Sequence, residues 1–399
     1  MNQNQIYIAD YDYHLPDERI AKYPLAERDS SKLLVYRHGE IVSVNFRNLA
    51  DFLPANSLLV CNNTKVINAR LLFEKQSGAT IEIFLLEPYL PVDYQLALSA
   101  SDSCQWKCMI GNQKKWKNEI LEKTIVCDGN STNLRAELLV SEDNQNIVRF
   151  SWDNPSLCFA AIIHSAGELP IPPYLHRSTE KSDLTTYQTV YSKINGSVAA
   201  PTAGLHFTPQ VLQSLSAKNI EIQEITLHVG AGTFKPVKSE TISQHLMHAE
   251  HFEISKAALE TILQNLGHIT AVGTTTVRTL ESLYYLAANI AKNDEFFVPQ
   301  WQAYSDKTEI PTELALQNLL NYMNDRGIET LSAATQILIQ PGYKFRLVNN
   351  MITNFHQPRS TLLLLVSAFV DGQWSKIYDY ALANDYRFLS YGDSSLLIN

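Results

Sequence analysis

The stretch Ile269-Thr-Ala-Val-Gly-Thr-Thr-Thr-Val277-Arg-Thr-Leu-Glu-Ser-Leu decides the fold class. Its first residues are apolar and β-rich, and from Val277 onward the apolar side chains recur at helical spacing. A strand over 269–273 that turns at a glycine into a helix over 277–288 is a unit of an α/β protein. The pattern also predicts strands over 220–229, 336–340, 346–355 and 386–391, and helices over 256–266, 361–370 and 374–383.

Residues 69–152 have a different pattern. Short β-rich runs, separated by turn residues, predict strands over 70–74, 80–86, 94–100, 106–110, 120–127, 134–140 and 147–152. Repeated short strands predict a small antiparallel barrel or sandwich. A buried strand is predicted over 57–61, so we expect residues 1–68 and 153–399 to form one large α/β domain into which the β domain is inserted. Within it, 289–333 resembles an added helical segment, with a helix over 311–325 that ends before Gly327.

Composition limits the classes of function. The chain has 399 residues, of which 45% are hydrophobic and 18% charged, as in a folded protein of two domains. The net charge of −9 excludes a protein held to nucleic acid by net charge, although a local basic groove stays open. Five scattered cysteines give no disulfide framework, and the apolar run 362–370 is too short to span a bilayer. We therefore expect a cytoplasmic protein without membrane contact.

Two glycine-containing loops carry polar side chains. The first holds Thr202, Gly204 and His206 ahead of a helix that begins after Thr208, where free amides suit a carboxylate and a histidine suits acid–base chemistry. The second follows a strand and contains the residues His228, Gly230, Gly232 and Thr233. Pro236 comes too soon for a dinucleotide-binding helix, so we reject that function. The first loop could equally be a tight, well-packed connection with a partly buried histidine, and the pattern of the second favours a plain structural bend over a site.

The segment from Gln244 to His251 offers several possible metal ligands. His248 and Glu250 share one face of the strand expected to follow, whereas His251 lies on the other. Because zinc requires three or four ligands that converge on one point, we predict no metal site and favour acid–base or hydrogen-bonding roles.

Two strand-to-helix corners are rich in polar residues. One carries Thr274, Thr275, Thr276 and Arg278, whose amides and hydroxyls favour an anionic group. The alternative for Arg278 is a surface ion pair with Glu281. The other corner carries Asn354 and His356 ahead of a buried helix. Because ligands of α/β proteins gather at the carboxyl ends of strands, these corners together indicate a binding site.

The predicted β domain has a basic and aromatic stretch. Lys114, Lys115, Trp116 and Lys117, together with Trp106, suit a nucleic-acid backbone and its bases. The alternative is an exposed hairpin whose tryptophans face the core.

Motifs that run nearly end to end carry a family resemblance. Among them are Tyr11-Asp-Tyr-His-Leu-Pro16, Gly167-Glu-Leu-Pro-Ile-Pro-Pro-Tyr174 and Asn354-Phe-His356, with further matches in 61–71, 187–191, 196–208, 226–237, 273–282, 341–343 and 386–393. In these the sequence resembles the S-adenosylmethionine:tRNA ribosyltransferase-isomerases of queuosine biosynthesis. The resemblance implies a distorted α/β barrel-like domain with a smaller β-barrel domain. Asn63, Asn68 and Gln357 depart from the usual family pattern.

The resemblance implies an enzyme that uses S-adenosylmethionine as a ribosyl donor. The acceptor would be 7-aminomethyl-7-deazaguanine (preQ1) at the tRNA wobble position, and the products epoxyqueuosine in tRNA, adenine and methionine. No cofactor is expected, since the donor is consumed as a co-substrate, and we expect a monomer. A sulfonium acidifies the C5′ hydrogens, so the reaction needs a base and an acid. The candidates are His206, His228, His248, Glu250 and Asp393.

The other candidate residues receive binding roles. The threonines 274–276 and Arg278 would bind the methionine carboxylate, and Asn354 with His356 would orient the sugar or base. Two alternatives stay open: a paralogue that transfers the ribosyl group to a small molecule, and a tRNA-binding protein without catalysis.

Overall fold

The fold is a mixed α/β structure built on two sheets. A computed structural model describes residues 6–117, 119–127, 129–142, 145–230, 237, 239–305 and 309–399. The strands of these described residues are β1 Lys32–Arg37, β2 Glu40–Asn45, β3 Leu58–Asn62, β4 Thr64–Val66, β5 Arg70–Glu74, β6 Thr80–Leu90, β7 Ser103–Gly111, β8 Leu121–Cys127, β9 Asn130–Glu142, β10 Gln145–Trp152, β11 Gly167–Glu168, β12 Ile194–Ser197, β13 Glu221–His228, β14 Glu250–Ser255, β15 Ile269–Val272, β16 Phe297–Val298, β17 Thr330–Thr335, β18 Asn350–Asn354 and β19 Ser394–Ile398.

Helices cover both faces of the larger sheet or pack on the smaller one. In chain order they are α1 Tyr94–Ser99, α2 Phe159–Ala166, α3 Asp183–Thr186, α4 Pro209–Ala217, α5 Lys256–Gln264, α6 Thr274–Asn293, α7 Gln302–Ser305, α8 Thr312–Arg326, α9 Thr361–Phe369 and α10 Trp374–Ala383. A short 3-10 helix, Thr202–His206, precedes α4. No helix of the described residues is both long enough and apolar enough to cross a bilayer.

The larger sheet has a parallel centre. Its strand order over the described residues is β16-β17-β14-β13-β3-β15-β18-β19-β1-β2, and β13, β3, β15 and β18 run parallel to one another. Strands β3, β15 and β18 are buried at every position, because helices pack on both faces of this sheet. The carboxyl ends of these strands therefore meet at one edge.

The smaller sheet is antiparallel and curled. Its order over the described residues is β11-β5-β6-β7-β10-β9-β8, and β5 approaches β8 across the curl to give a half-barrel. Trp106 and Phe150 from the strands pack against Phe159 of α2. The prediction of α/β plus all-β architecture is thus confirmed in part, as a mixed sheet and a half-barrel. The domain boundaries stay a prediction, although α2 and β11 extend this packing beyond residue 152.

The long helices match the sequence pattern well. The helix predicted over 311–325 is α8, which ends at Gly327 in the left-handed conformation (φ 63°). The helix predicted over 277–288 is α6, which begins three residues earlier, at Thr274, and is therefore longer. The segment 289–333 is not only helical, since β16 and β17 pair within the larger sheet.

Three predicted strands are wrong. Residues 94–100 form helix α1, because the Asp93 carboxylate accepts a hydrogen bond from the Leu96 amide (2.8 Å) and caps the helix. Residues 336–340 and 386–391 are irregular, and the neighbouring β17 and β19 are the strands of the sheet. Apolar composition predicted burial at these positions but could not assign the hydrogen-bond partners.

Candidate functional site

A cavity lies where the central parallel strands end. The residues that follow β13, β15 and β18 line it, namely Val229, Gly273 and Phe355. Its polar side chains are Tyr174, Thr202, Thr274, Thr275, Thr353, Asn354, His356, Gln357, Ser360 and Ser390. This is the edge at which α/β sheets bind ligands, so the cavity is the candidate site.

The cavity wall is polar but carries almost no charge. Among the described residues no Asp, Glu, Lys or Arg lines it, and its polar groups are hydroxyls, two amides and an imidazole. The remaining wall is apolar, with Ala199, Ala200 and Leu362 among its members. Such a wall can hold an organic ligand through apolar contacts and a few directed hydrogen bonds.

The amino terminus of α6 forms one wall. Gly273 has a φ of 91°, which a residue with a side chain rarely adopts, and its amide donates to the Ile352 carbonyl (2.8 Å). No side chain caps this helix, and Thr274 and Thr275 line the cavity. Because the first amides of a helix lack partners within the helix, this wall favours an anionic group.

Asn354, which lines the cavity at the end of β18, joins three segments of the chain. Its Oδ1 accepts from the Thr202 hydroxyl (3.0 Å), and its Nδ2 lies 3.2 Å from His206 Nε2 and 3.3 Å from the Leu389 carbonyl oxygen. The end of β18 is thereby tied to the short helix Thr202–His206 and to the loop that contains Leu389. The side-chain amide of Asn354 therefore fixes the relative positions of these three segments.

His206 lies behind the cavity with both ring nitrogens bonded. Nε2 faces the Asn354 amide, and Nδ1 is 2.8 Å from the Ser31 hydroxyl. Because Asn354 Nδ2 can only donate, Nε2 accepts and Nδ1 carries the proton. Burial, with the charges of Arg387 and Arg28, lowers the pKa of His206 to about 3. The imidazole is neutral and contacts the site through Asn354.

His356 is the imidazole on the cavity wall among the described residues. Its Nε2 is 2.9 Å from the Thr353 hydroxyl. Its amide donates to the Tyr378 hydroxyl (2.9 Å), and its carbonyl accepts from Tyr13. Burial lowers the pKa of His356, although part of the residue stays exposed, so the ring is neutral near pH 7.

The glycines of the two loops have different surroundings. A Cβ on Gly204 would lie 2.1 Å from the Tyr191 hydroxyl, so this glycine permits close packing of the loop against Tyr191. Gly230 directly follows the cavity residue Val229. Gly232 and Thr233 lie outside the described residues.

His228 is buried at the junction of the two sheets. Its ring stacks on Tyr94 of α1 at 3.8 Å, and neither ring nitrogen has a hydrogen-bond partner in the described part of the chain. Burial, followed by the nearby His251, lowers the pKa of His228 to about 4. Gly196 makes this arrangement possible, since a Cβ there would lie 2.5 Å from His228 Nδ1.

Glu250 and Arg278 form a buried ion pair. Arg278 Nη1 contacts Glu250 Oε2, and its Nε donates to the Ile337 carbonyl (3.0 Å). His248 Nε2 lies 3.4 Å from Glu250 Oε1. Burial raises the pKa of Glu250, but the charge of Arg278 and the contact with His248 outweigh it, so the pKa lies below its usual value. Arg278 Nη2 is buried and has no hydrogen-bond partner in the part of the chain that the structure describes.

The alternative of a surface ion pair between Arg278 and Glu281 is wrong, because both side chains are buried. Glu281 instead accepts backbone hydrogen bonds from residues 346–348 and one from the Tyr343 hydroxyl (2.9 Å). His251 points away from Glu250, towards Glu87 (3.7 Å). In the described part of the chain, no group of three or more His, Cys, Asp or Glu side chains could hold a metal ion.

Asp393 closes a turn rather than lining the cavity. Its carboxylate accepts from the Lys32 amide (2.8 Å) and the Arg387 amide (2.8 Å). Thr276 also lies outside the cavity lining, and its hydroxyl is buried without a hydrogen-bond partner among the described residues. These two predicted site residues therefore contact the cavity only through their neighbours.

The basic stretch divides into exposed and buried residues. Lys114, Lys115 and Lys117 are exposed. Trp116 is 4% exposed and donates through its indole nitrogen to the Glu119 carbonyl (2.9 Å). Trp106 is also buried. Both tryptophans thus face the core, which leaves Trp116 no open ring face for a base, while the three lysines remain predicted tRNA contacts.

The structure brings together only part of the predicted site. Thr202, Thr274, Thr275, Asn354 and His356 line one cavity. Sequence analysis missed Tyr174 and Ser390, which line the same cavity. Their signal was present, because Tyr174 ends the proline-rich motif 167–174 and Ser390 lies in the motif 386–393, but neither follows a strand directly.

Comparisons with known proteins identify the family. The sequence model described as queuosine biosynthesis protein matches residues 8–397. A protein of Sulfurihydrogenibium sp. named S-adenosylmethionine:tRNA ribosyltransferase-isomerase is 38% identical over 98% of this chain and 99% of its own length. Proteins of the same name from Desulfitobacterium hafniense (38% identity, 98% and 99%) and Francisella philomiragia (37%, 97% and 98%) match equally fully.

A solved structure is also similar. The crystal structure of S-adenosylmethionine tRNA ribosyltransferase from Thermotoga maritima is 29% identical and aligns over 98% of this chain and 100% of that chain, with a TM-score of 0.47. The family match and the full-length relatives lead to one conclusion: this chain belongs to the family of queuosine biosynthesis proteins.

Proposed function

We propose that this protein is an S-adenosylmethionine:tRNA ribosyltransferase-isomerase. It transfers and isomerises the ribosyl group of S-adenosylmethionine onto preQ1 at the tRNA wobble position, giving epoxyqueuosine in tRNA, adenine and methionine. The observation that carries the proposal is the cavity between the α6 amino terminus and Asn354, in a chain related over its whole length to proteins of this name. The enzyme would act in the cytoplasm as a monomer and without a cofactor.

The cavity suits the donor. Free amides at Thr274 and Thr275 would bind the methionine carboxylate, because the helix dipole favours a negative charge there. Arg278 lies one helical turn further along α6 but does not line the cavity and pairs with Glu250, so its predicted part in binding the carboxylate would be limited to its charge behind the helix terminus. The apolar wall that includes Ala199, Ala200 and Leu362 suits the adenine ring and the methylene groups.

The chemistry requires a proton acceptor near C5′ of the donor. A base removes a C5′ hydrogen that the sulfonium has acidified, and adenine leaves with the electron pair of its glycosidic bond. The neutral amine of preQ1 then forms the new carbon–nitrogen bond at C1′, and a C1′–C5′ bond replaces the bond from C1′ to the ring oxygen, which closes a five-carbon ring. Methionine leaves as the C5′–sulfur bond is replaced by a bond from C5′ to that oxygen, which becomes the epoxide oxygen between C4′ and C5′. One proton is released for each turnover.

His356 is the group that we propose exchanges these protons. It is neutral near pH 7 and lies on the cavity wall, whereas His206 contacts the cavity through Asn354 and is a positioning residue. None of the other predicted acid–base residues His228, His248 and Glu250 lines this cavity: His248 faces the buried Glu250 (3.4 Å), and both ring nitrogens of His228 lack a hydrogen-bond partner in the described part of the chain. Asp393 holds backbone amides and is also a positioning residue.

One reaction tests the proposed function. Purified protein is incubated with S-adenosylmethionine and tRNA that carries preQ1, and adenine, methionine and the digested tRNA are measured by mass spectrometry. We expect stoichiometric release of adenine and methionine with epoxyqueuosine in the RNA. An intact donor would contradict the function. Adenine release with free preQ1 but not with the tRNA would favour a small-molecule acceptor, and tRNA binding without any release would favour the non-catalytic alternative.

A variant tests the role of His356. His356→Gln should lower kcat roughly 10²–10⁴-fold, as expected when general acid–base catalysis is removed. His268→Gln is the control, since His268 is exposed and precedes β15 at the opposite edge of the sheet. Wild-type turnover in His356→Gln would assign proton transfer to another residue.

The tRNA surface is proposed to include Lys114, Lys115 and Lys117. Replacing all three with alanine should weaken tRNA binding. It should also reduce the slope of the logarithm of the binding constant against the logarithm of salt concentration, by about 0.9 for each lysine–phosphate contact that is lost. Lys344→Ala is the control, because this lysine is 72% exposed and lies far along the chain from the smaller sheet. Unchanged affinity in the triple variant would place the RNA elsewhere.

A further inference from the structure

The loop of residues 387–393, named here the Ser390 turn, has a strained backbone beside the cavity. Leu389 has a φ of 68°, in the left-handed region that residues with bulky side chains rarely adopt. The residue is only 4% exposed. Backbone strain persists where surrounding contacts enforce it, and such positions cluster at functional sites.

Several contacts enforce this conformation. The Leu389 carbonyl accepts from the Gly392 amide (3.0 Å) and from Asn354 Nδ2 (3.3 Å), and Asp393 accepts from the Arg387 amide (2.8 Å). A Cβ on Gly392 would lie 2.5 Å from the Arg387 carbonyl oxygen, so the turn closes only with glycine there. The turn is therefore fixed from both ends and from the cavity side.

The fixed backbone of the Ser390 turn places Ser390 on the cavity wall. This serine follows the strained residue and lines the cavity with its neighbour Leu389. Its hydroxyl is 2.6 Å from the hydroxyl of Tyr174, a second cavity residue. Burial raises the pKa of Tyr174 to about 12, so this phenol keeps its proton at neutral pH.

The chemistry of the Ser390 hydroxyl indicates what it binds. A serine hydroxyl has one donor and two acceptor sites, of which the contact with Tyr174 uses one. The cavity wall in the described residues carries no charged side chain, so a neutral polar partner fits this side better than an anion. A sugar hydroxyl, which both donates and accepts, matches a serine hydroxyl whose orientation a tyrosine fixes.

We propose that Ser390 binds a ribose hydroxyl of the nucleoside donor and that Tyr174 positions it for this contact. The proposal rests on the proposed function, since it assigns one part of the donor to one part of the cavity. It also accounts for the strained Leu389, because the turn that Leu389 belongs to places Ser390 on the cavity wall beside Tyr174.

Binding of an uncleavable ligand tests the proposal. Dissociation constants are measured by calorimetry for S-adenosylhomocysteine and for its 2′-deoxy and 3′-deoxy forms, with wild-type protein, Ser390→Ala and Tyr174→Phe. Ser390→Ala should weaken the ribose form roughly 3- to 10-fold, the value of one hydrogen bond. For one of the two deoxy ligands, Ser390→Ala should leave the dissociation constant at its wild-type value, because that ligand lacks the hydroxyl that Ser390 would bind. Tyr174→Phe should show a smaller weakening with the same ligand pattern.

A second tyrosine–serine pair provides the control. The Ser43 hydroxyl is 2.5 Å from the Tyr386 hydroxyl, and neither residue lines the cavity. Ser43→Ala removes the same kind of contact and should leave all three dissociation constants unchanged. Far-UV circular dichroism and thermal unfolding establish that each variant is folded.

The outcomes separate this proposal from the proposed function. If wild-type protein releases adenine on modified tRNA but Ser390→Ala binds all three ligands like the wild type, the ribose contact is wrong and the function stands. An equal weakening for all three ligands would also overturn the contact, since it would indicate a general distortion of the cavity. If wild-type protein neither binds the ligand nor releases adenine, both proposals fail.

Discussion

His206 and His228 are both buried histidines, but their hydrogen bonding differs completely. They are 4% and 3% exposed, and burial lowers the pKa of both. His206 has a hydrogen-bond partner at each ring nitrogen, whereas His228 has none among the described residues and stacks on Tyr94 instead. Burial alone therefore does not indicate the role of a histidine, because the partners of the ring nitrogens decide it.

The difference follows from where each ring lies. The short helix Thr202–His206 packs beside β18 and β1, whose neighbouring polar residues Asn354 and Ser31 face the ring. His228 ends β13 at the junction with α1, where Tyr94 covers it. An unbonded buried nitrogen costs desolvation free energy without a compensating contact, so the ring nitrogens of His228 remain available to hydrogen-bond a ligand.

The largest expected effect is that of His206→Ala. This change leaves Ser31 Oγ and Asn354 Nδ2 buried with one partner fewer, and it opens a cavity beside Phe46. We expect the free energy of unfolding to fall by about 2–5 kcal/mol, measured by urea denaturation. A decrease within about 0.5 kcal/mol, the range of an exposed substitution such as His268→Ala, would contradict the structural role.

The pH dependence of stability is the second test. Unfolded histidines titrate near pH 6.5, but burial lowers the folded pKa to about 3 for His206 and about 4 for His228. The unfolded chain therefore binds more protons below pH 6.5, and stability that is complete above that pH is lost as the pH falls towards these folded values. Each ring adds a slope of about 1.4 kcal/mol per pH unit.

The variant His228→Phe isolates one of these slopes. Urea unfolding between about pH 7 and 4.5 should depend less steeply on pH in the variant than in the wild type, by about 1.4 kcal/mol per unit. Equal slopes would mean that His228 is protonated in the folded protein and that its ring has a partner.

The smallest expected effect is that of His228→Phe on stability near pH 7. Phenylalanine keeps the stacking on Tyr94 and removes nitrogens that bond to nothing in the described structure, so we expect a change within about 1 kcal/mol. Thermal unfolding and adenine release are measured on the same protein. Intact stability with reduced adenine release would support a functional His228, and normal release would leave only its packing role.

Part of the site could be predicted because local sequence determines it. The corners with Thr274 and Asn354 follow apolar strands directly, and parallel strands bring their carboxyl ends to one edge. The local pattern leaves Arg278 either as a ligand-binding residue or in a surface ion pair with Glu281, because spacing along one helix does not show what packs against it. Helix α8 and strand β17, which come later in the chain, cover α6 and bury that arginine beside Glu250.

The sequence by itself determined the alternation of strands and helices, the family, and the polar corners, since spacing and composition act within a few residues. The tertiary structure alone decided that His206 is bonded at both nitrogens, that Trp116 is buried, and that Ser390 lies beside Tyr174. The hydrogen bonds of His206 and Ser390 depend on partners far away in the chain, as with Tyr174 and Ser390, which are 216 positions apart. Hydrogen bonds and burial are properties of the space around a side chain, which local spacing does not specify.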